Sequence, residues 1–199
     1  ADLRSATAEA VGDGVADDTD AIQKAIDSGA GDLLFPRGKY RITRPIDIDL
    51  SQNGPVGLAG TGTAKIIMAG PGPAFRFRGT HKGTASPKTF EPALWEHERT
   101  PSVDGLEIVG EHEEAVGIEA GGAMQLTLTR LTVRHTLHAI HLVTRNRNVL
   151  VANCHLYENR GIGLFLDNLS LHQTNVNGCH ISYNGGGGIV VRGGDVRNL

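Results

Sequence analysis

The chain has 199 residues, 39 % of them apolar but only 5 % aromatic, which suits a thin core of aliphatic side chains better than one built on large rings. A net charge of -3 and a pI near 6.3 give no bulk attraction to nucleic acid or to an anionic membrane. No run of 18 apolar residues is present, so no span of a bilayer is expected, and the start at Ala1 without a basic and apolar leader suits a chain that is intracellular or already processed.

The first informative stretch is Gly12-Asp-Gly-Val-Ala-Asp-Asp-Thr-Asp-Ala-Ile-Gln-Lys-Ala-Ile-Asp. Asp17, Asp18 or Thr19 can cap a helix, and Asp20 adds negative charge to its first turn. Ile22, Ala25 and Ile26 fall on one helical face and Gly29 ends the run, so a short amphipathic helix is expected over residues 18–28. Leu33-Leu-Phe-Pro-Arg-Gly-Lys-Tyr-Arg-Ile then reads as two short strands around a turn.

Gly12, Asp13, Gly14, Asp17, Asp18, Thr19, Ala21, Ile22, Ala25 and Ile26, followed by Pro36, Gly38 and Tyr40, match the pattern G-D-G-x-x-D-D-T-x-A-I-x-x-A-I, strand, P-x-G-x-Y. That pattern resembles the N-terminal module of the pectate lyase superfamily of right-handed parallel β-helices, which also occurs in polygalacturonases and phage tailspikes. The resemblance implies the handedness of the fold and a helix that closes one end of its core. It also implies that Asp13, Asp17 and Asp18 are turn and cap residues rather than catalysts.

Residues 46–78 continue irregularly as strands of the first coils. Gly57-Leu-Ala-Gly-Thr-Gly lacks the Gly-Lys-Ser/Thr and the following helix of a phosphate loop. Residues 79–101 break the rhythm with Pro, His, Lys, Glu and the only tryptophan. A loop insertion of that length leaves one face of a solenoid and often walls a binding site. Trp95 is either a platform for a sugar ring or an anchor of the loop.

From Ser102 to Leu199 one pattern recurs. Leu106-Glu-Ile, Leu131-Thr-Val, Cys154-His-Leu and Cys179-His-Ile follow at steps of 25, 23 and 25 residues (106 to 131, to 154, to 179). Gly117-Ile-Glu-Ala, Ala139-Ile-His-Leu, Gly163-Leu-Phe-Leu and Gly188-Ile-Val-Val keep a second register, and Leu126-Thr-Leu, Val149-Leu-Val and Thr174-Asn-Val a third. Three alternating segments per period, separated by Gly, Asn and Asp, indicate an all-β solenoid with three short strands per coil. The expectation is a single β-helix domain over 1–199, with regular coils over 102–199, whose end in mid-coil suggests a truncated C-terminal side. Cys154 and Cys179 share an inward position on neighbouring coils, about 4.8 Å apart, and are expected to be stacked core thiols, although a disulfide fits that separation.

Alternation places Ile118, Ile140, Leu164 and Ile189 inside and turns Glu119, His141, Phe165 and Val190 outward, with Asp167 and Arg192 two positions further on. Glu119, His141, Asp167 and Arg192 are therefore the candidate catalytic set, His141 as a base and Arg192 as the partner of a uronate carboxylate. Trp95, Phe165, His155, His180, Tyr157 and Arg134 are candidate substrate-binding residues. His155 stacked near His180 leaves an acid and base pair or a metal site open, but no tight ligand spacing supports a metal. Asn159 and Asn184 share a bend and resemble the inward asparagine ladder of the superfamily.

The resemblance implies a polysaccharide lyase, a glycoside hydrolase or an epimerase. The expected function is eliminative degradation of a uronic-acid-containing glycan. A hydrolase on the same fold, or a noncatalytic glycan-binding, tailspike-like β-helix, is the alternative. The Asn-Thr-Asp, Asp-Asp, Gly-His-Gly and Arg-Ile-Lys series of polygalacturonases is missing, as is a recognisable lyase arginine motif. A secreted, periplasmic or cell-surface location, no cofactor with calcium left open, a polysaccharide partner, no nucleic acid and an undecided homo-oligomer complete the expectation.

Overall fold

A computed structural model of the chain describes residues 9–83, 86–197 and 199; residues 1–8, Thr84, Ala85 and Asn198 of the expected domain lie outside the described residues. The chain winds as a right-handed parallel β-helix. Three parallel faces run along its axis. On the first, Asp13–Asp17 pairs with Gly38–Ile42, which pairs with residues 64–68, and these continue through 106–110 and Thr132–Arg134 to His155–Tyr157 and His180–Ser182. The second stacks Ile46–Asp49, Gly72–Arg78, Ala115–Gly121 and the starts of Ile140–Ala152 and Ile162–Asn177 under Gly187–Arg192. The third stacks Asp32–Phe35, residues 57–60 and 102–104, Thr127–Thr129, and the ends of those two long strands.

The predicted registers are those of the structure. Ile140 pairs with Ile118 and Leu164, and Leu164 with Ile189; His155 pairs with Thr132 and His180. Ile118, Ile140 and Leu164 are wholly buried, but Ile189 is 44 % exposed because no described residue stacks above it. Two features differ from three separate strands per coil. Pairing persists around a corner, so Gly57–Met68, Ile140–Ala152 and Ile162–Asn177 run for 12, 13 and 16 residues. The bend itself also carries a rung: residues 145–147, 170–172 and 195–197 pair with one another.

Corners this sharp need the chain direction to change within one residue. Thr144 and Asn168, Asn148 and Gln173, Asn153 and Gly178, and His135, Glu158 and Tyr183 all carry a positive φ at equivalent bends. Asn and Gly tolerate that region at low cost, and the bulkier residues are held there by the pairing on either side.

The capping helix runs Thr19–Asp27 and buries Ile22, Ala25 and Ile26 against the first coils. Its acidic residues are structural. The buried Asp18 accepts from Val11 N (2.6 Å) and Gly12 N (3.1 Å), Asp17 accepts from Thr19 N (3.0 Å), and Asp13 holds Val15 N and Ala16 N (2.8 and 2.9 Å). A short helix Leu50–Asn53, not expected from the sequence, follows the strand of Asp49, whose side chain accepts from Ser51 N.

Cys154 and Cys179 are free thiols, with Cys179 Sγ 3.5 Å from Cys154 N. Burial pushes the Cys154 thiol up to about 11, so it behaves as a core side chain rather than as a nucleophile.

Candidate functional site

The second face carries the site. Its outward residues stack in register from Asp47 to Arg76, Glu119 and His141, with Asp167 and Arg192 on the neighbouring column. The four candidate catalytic residues are brought together. His141 lies between two carboxylates, Nδ1 3.5 Å from Glu119 Oε2 and Nε2 3.2 Å from Asp167 Oδ2. Arg192 grips Asp167 with two hydrogen bonds, Nε to Oδ1 at 3.0 Å and Nη2 to Oδ2 at 2.8 Å.

Two members of this ladder were invisible in the repeat. Arg76 Nε donates to Glu119 (3.1 Å) and its Nη1 to Asp47 (3.2 Å), while Arg78 reaches Asp47 at 3.1 Å. Arg76 is 43 residues from Glu119 because the insertion intervenes, so a period of two dozen never aligns them. Charges alternate along the column, and each carboxylate has a cation within reach.

This pairing sets the protonation states. Partial burial works against the His141 imidazolium, but Glu119 and Asp167 outweigh it and raise the histidine above its ordinary value. The hydrogen bond from His141 holds Glu119 below the usual carboxylate range. Asp167 is lowered too, Arg192 and His141 overcoming its desolvation. With a carboxylate beside each ring nitrogen, the protonated form of His141 is favoured, which weakens it as the expected general base. In that form it can donate a proton but not accept one.

Phe165 does not present the open outward face expected of it. It is 4 % exposed, with the His141 ring stacked on it at 5.1 Å and 8°, His138 tilted against it at 4.9 Å, and the Arg192 guanidinium over it at 4.8 Å. Its role is to stiffen the charged column. Trp95 packs edge-on to Phe90 at 5.6 Å, half-buried, in a small cluster with Leu94 and Met124. Phe90 in turn takes the Arg147 guanidinium at 4.5 Å and the His81 ring at 5.2 Å. The tryptophan thus anchors the insertion to the coil.

His155 and His180 stack at 5.2 Å and 3° on the first face, exposed. Arg134 is tied instead to Glu107 (2.8 Å), which also takes Lys65 (3.1 Å), and Tyr157 is half-buried opposite Ser182. Those four therefore lie on a different face from His141. Among the described residues no group of three or more His, Cys, Asp or Glu side chains converges as a metal cage.

The insertion does build a wall. Thr80 clips its far end by donating N–H and hydroxyl to the buried Glu98 (2.7 and 2.6 Å). Its root passes so close to the coil at Gly79 and Gly122 that a Cβ on either would strike the other's carbonyl oxygen. Between wall and coil lies a cleft of about 470 Å³ that reaches Arg76, Arg78, Lys82, Glu119 and Arg145. A second cavity of about 390 Å³ continues it along the bend, past His81 and Arg145 to His172 and Arg197. The signal for this second group was present but unread: Arg147, His172 and Arg197 recur at 25-residue steps (147 to 172, to 197) and pair in register.

A family model described as "Right handed beta helix region" matches residues 97–198, just over half of the chain. The chain belongs to the right-handed β-helix family. A second model, "Rhamnogalacturonase A/epimerase, pectate lyase-like", matches residues 6–72 of this β-helix, the stretch of the capping helix and first coils. Among solved structures the β-helix is similar to ORF18 of Geobacillus virus E2, with 19 % identity and a TM-score of 0.53 over 85 % of this chain and 40 % of that one. It is also similar to PfbA, a surface adhesin of Streptococcus pneumoniae, with 18 % identity and a TM-score of 0.54 over 83 % of this chain and 47 % of that one. The chain thus spans less than half the length of either structure. No curated protein sequence matches it. No helix among the described residues is long and apolar enough to cross a membrane.

Proposed function

We propose that this β-helix belongs to a polysaccharide-handling protein and holds an acidic, uronic-acid-containing glycan along its second face, in the cleft walled by residues 79–82. The observation that carries the reading is the surplus of positive charge there. Arg76, Arg78, Lys82 and Arg145 line the cleft against Glu119, with Asp47 pairing Arg76 and Arg78 from beside it, and among the described residues Lys82 has no ion-pair partner. A cleft open along the coil axis suits a linear polymer, and charge-assisted hydrogen bonds from Arg and Lys suit its carboxylates. The match to a pectate lyase-like model supports a carbohydrate ligand, and the likeness to a surface adhesin fits a place outside the cell or on its surface.

Recognition is favoured over eliminative cleavage at His141. Elimination needs a base, and Glu119 and Asp167 raise the pKa of His141 and so favour its protonated form, while Arg192 is engaged by Asp167. A second, catalytic reading draws on the same trio: His141 gives a proton to a glycosidic oxygen once it parts from Glu119 or Asp167.

The test is titration calorimetry with polygalacturonate, run alongside absorbance near the ultraviolet edge and a reducing-end assay. Binding without a new chromophore or new reducing ends, weakened in Lys82→Gln and Arg78→Gln, is the expected result. Equal binding of a neutral polymer would remove the reading. A signal of cleavage lost in His141→Ala would replace recognition with catalysis.

A further inference from the structure

The second cavity has features that the long cleft does not explain. It lies where the rungs of the bend stack, Arg145 over Ser170 and Asp195, and His172 between Arg147 and Arg197. Asn146 and Leu171 alternate inward, at 1 % and 2 % exposed, which turns Arg145, Ser170, His172 and Arg197 toward the cavity. From the other side it is closed by His81 and Gly83 of the insertion.

Among the described residues two imidazole nitrogens beside it are unsatisfied: Nδ1 of His81, a residue 4 % exposed, and Nδ1 of the half-buried His172. Buried polar groups without partners are rare, and two of them flank this one cavity. Burial, with Arg147 and Arg145 nearby, pulls the His81 pKa down, so its ring stays neutral and keeps an acceptor nitrogen.

The charges favour an anion. Arg145 gives one N–H to Gly83 O (2.9 Å), and among the described residues the rest of its guanidinium makes no hydrogen bond or close ion pair, although its charge acts on Asp195. Arg197 is held by Asp195 through Nε at 3.1 Å and Nη2 at 2.8 Å. The buried Arg147 lies one rung below His172, and Glu98 acts on His81 from the insertion. Arg145, Arg147 and Arg197 thus outnumber Asp195 and Glu98. A volume of about 390 Å³ falls at the small end of ligand sites, enough for one or two sugar units rather than a long chain.

We propose that this cavity is a subsite for a single anionic sugar unit, its carboxylate or sulfate held by Arg145 and Arg197 and its hydroxyls facing His81, Ser170 and His172. The proposal rests on the acidic-glycan reading and locates one unit of that ligand at the bend, beyond the cleft. It gives Asp195 a definite part. This carboxylate competes with the ligand for Arg197, so its removal strengthens binding, an effect opposite in sign to the loss of Arg145.

The experiment is calorimetry on the whole chain with three trisaccharides, one of galacturonate, one of 6-sulfated galactose and one of galactose. An acidic trisaccharide is expected to bind, the neutral one not. Arg145→Gln weakens binding by about tenfold or more, as loss of a charge-assisted hydrogen bond does. Asp195→Asn tightens it severalfold. Preference for the carboxylated or for the sulfated sugar identifies the anionic group. Unchanged affinity in both variants, equal binding of the galactose trisaccharide, or full displacement by equimolar inorganic sulfate overturns the subsite. Asp195 is exposed and lies on the last rung, so Asp195→Asn remains informative even if Arg145→Gln loosens the insertion. If Lys82→Gln abolishes binding while Arg145→Gln and Asp195→Asn do not alter it, the subsite fails and the glycan reading stands. If no acidic glycan binds, both fail.

Discussion

Asn159→Leu tests the packing that puts the site in place. Asn159 is 2 % exposed at the bend after the first face, and its side chain replaces water for its neighbours. Its Oδ1 accepts from Thr136 N (3.1 Å) and Thr136 Oγ1 (2.7 Å); its Nδ2 donates to Val133 O (3.2 Å) and Asn184 Oδ1 (2.8 Å). Leucine fills a similar volume and makes none of these bonds. Thr136 N–H, the Thr136 hydroxyl and the Val133 carbonyl then lose a partner in a site that solvent does not reach. Each such loss costs roughly 1–3 kcal/mol, so the variant should lose about 3–6 kcal/mol after the gain from the larger apolar group. Asn184, at the equivalent bend but only half-buried, can turn to water, and Asn184→Leu should cost less. Urea denaturation followed by circular dichroism gives the magnitude, and hydrogen exchange shows whether protection is lost chiefly in the coils around residues 131–186, as nearest-neighbour stacking requires. A penalty for Asn159→Leu below about 1 kcal/mol, or one smaller than that of Asn184→Leu, refutes the account of the bends.

Two further outcomes follow from the site. His141 has a raised pKa in the fold, so its contribution to stability is fully present below the unfolded histidine value, near 6.5, and is lost as pH rises through the folded value. Glu119 and Asp167 are lowered, so theirs is present above the unfolded carboxylate values and is lost as pH falls through the folded ones. Melting temperature should therefore decline above neutrality in the native chain and more weakly in His141→Gln; parallel profiles would show that the ladder does not carry the effect. Phe90→Ala removes the ring shared by Arg147, His81 and Trp95 and should free the insertion while leaving the coils folded. The emission of Trp95, the sole tryptophan, should shift to the red and residues 79–101 become protease-sensitive with an unchanged far-ultraviolet spectrum, whereas an unshifted emission would place the anchor elsewhere.

Much of this fold is legible because its stacking is in register. A residue in one coil sits over its counterpart about two dozen positions later, so the recurrence of Ile118, Ile140 and Leu164, or of Glu119 and His141, is a direct record of contact. Such a record fails in two circumstances. An insertion shifts the numbering without shifting the ladder, which concealed Arg76 and Asp47 beneath Glu119. Alternation also distinguishes inside from outside but not covered from open: Phe165 points outward and is nevertheless buried, because His138, His141 and Arg192 close over it. The rung at the bend was missed for a third reason. Segments 145–147, 170–172 and 195–197 are too short and too polar to show an apolar alternation, and in the sequence only the 25-residue recurrence of Arg147, His172 and Arg197 marks them.

The charged column is a requirement of the architecture before it is anything else. In a parallel stack the same position recurs about every 4.8 Å, and like charges at that spacing repel by on the order of 3 kcal/mol at an effective dielectric constant of 20. Sign alternation along Asp47, Arg76, Glu119 and His141 removes that repulsion, and Asp167 with Arg192 extends the same solution to the next column. Groups spent in this way are poor reagents, since engaging a ligand means breaking a bond the stack relies on. Cations outside the alternation carry no such obligation. Lys82 is supplied by the insertion, and Arg145 stands at the bend directly over Ser170, with Asp195 one rung further on and in no close ion pair with it. Ligand affinity should therefore respond far more to Lys82 and Arg145 than to Arg76, whose removal should appear first as lost stability.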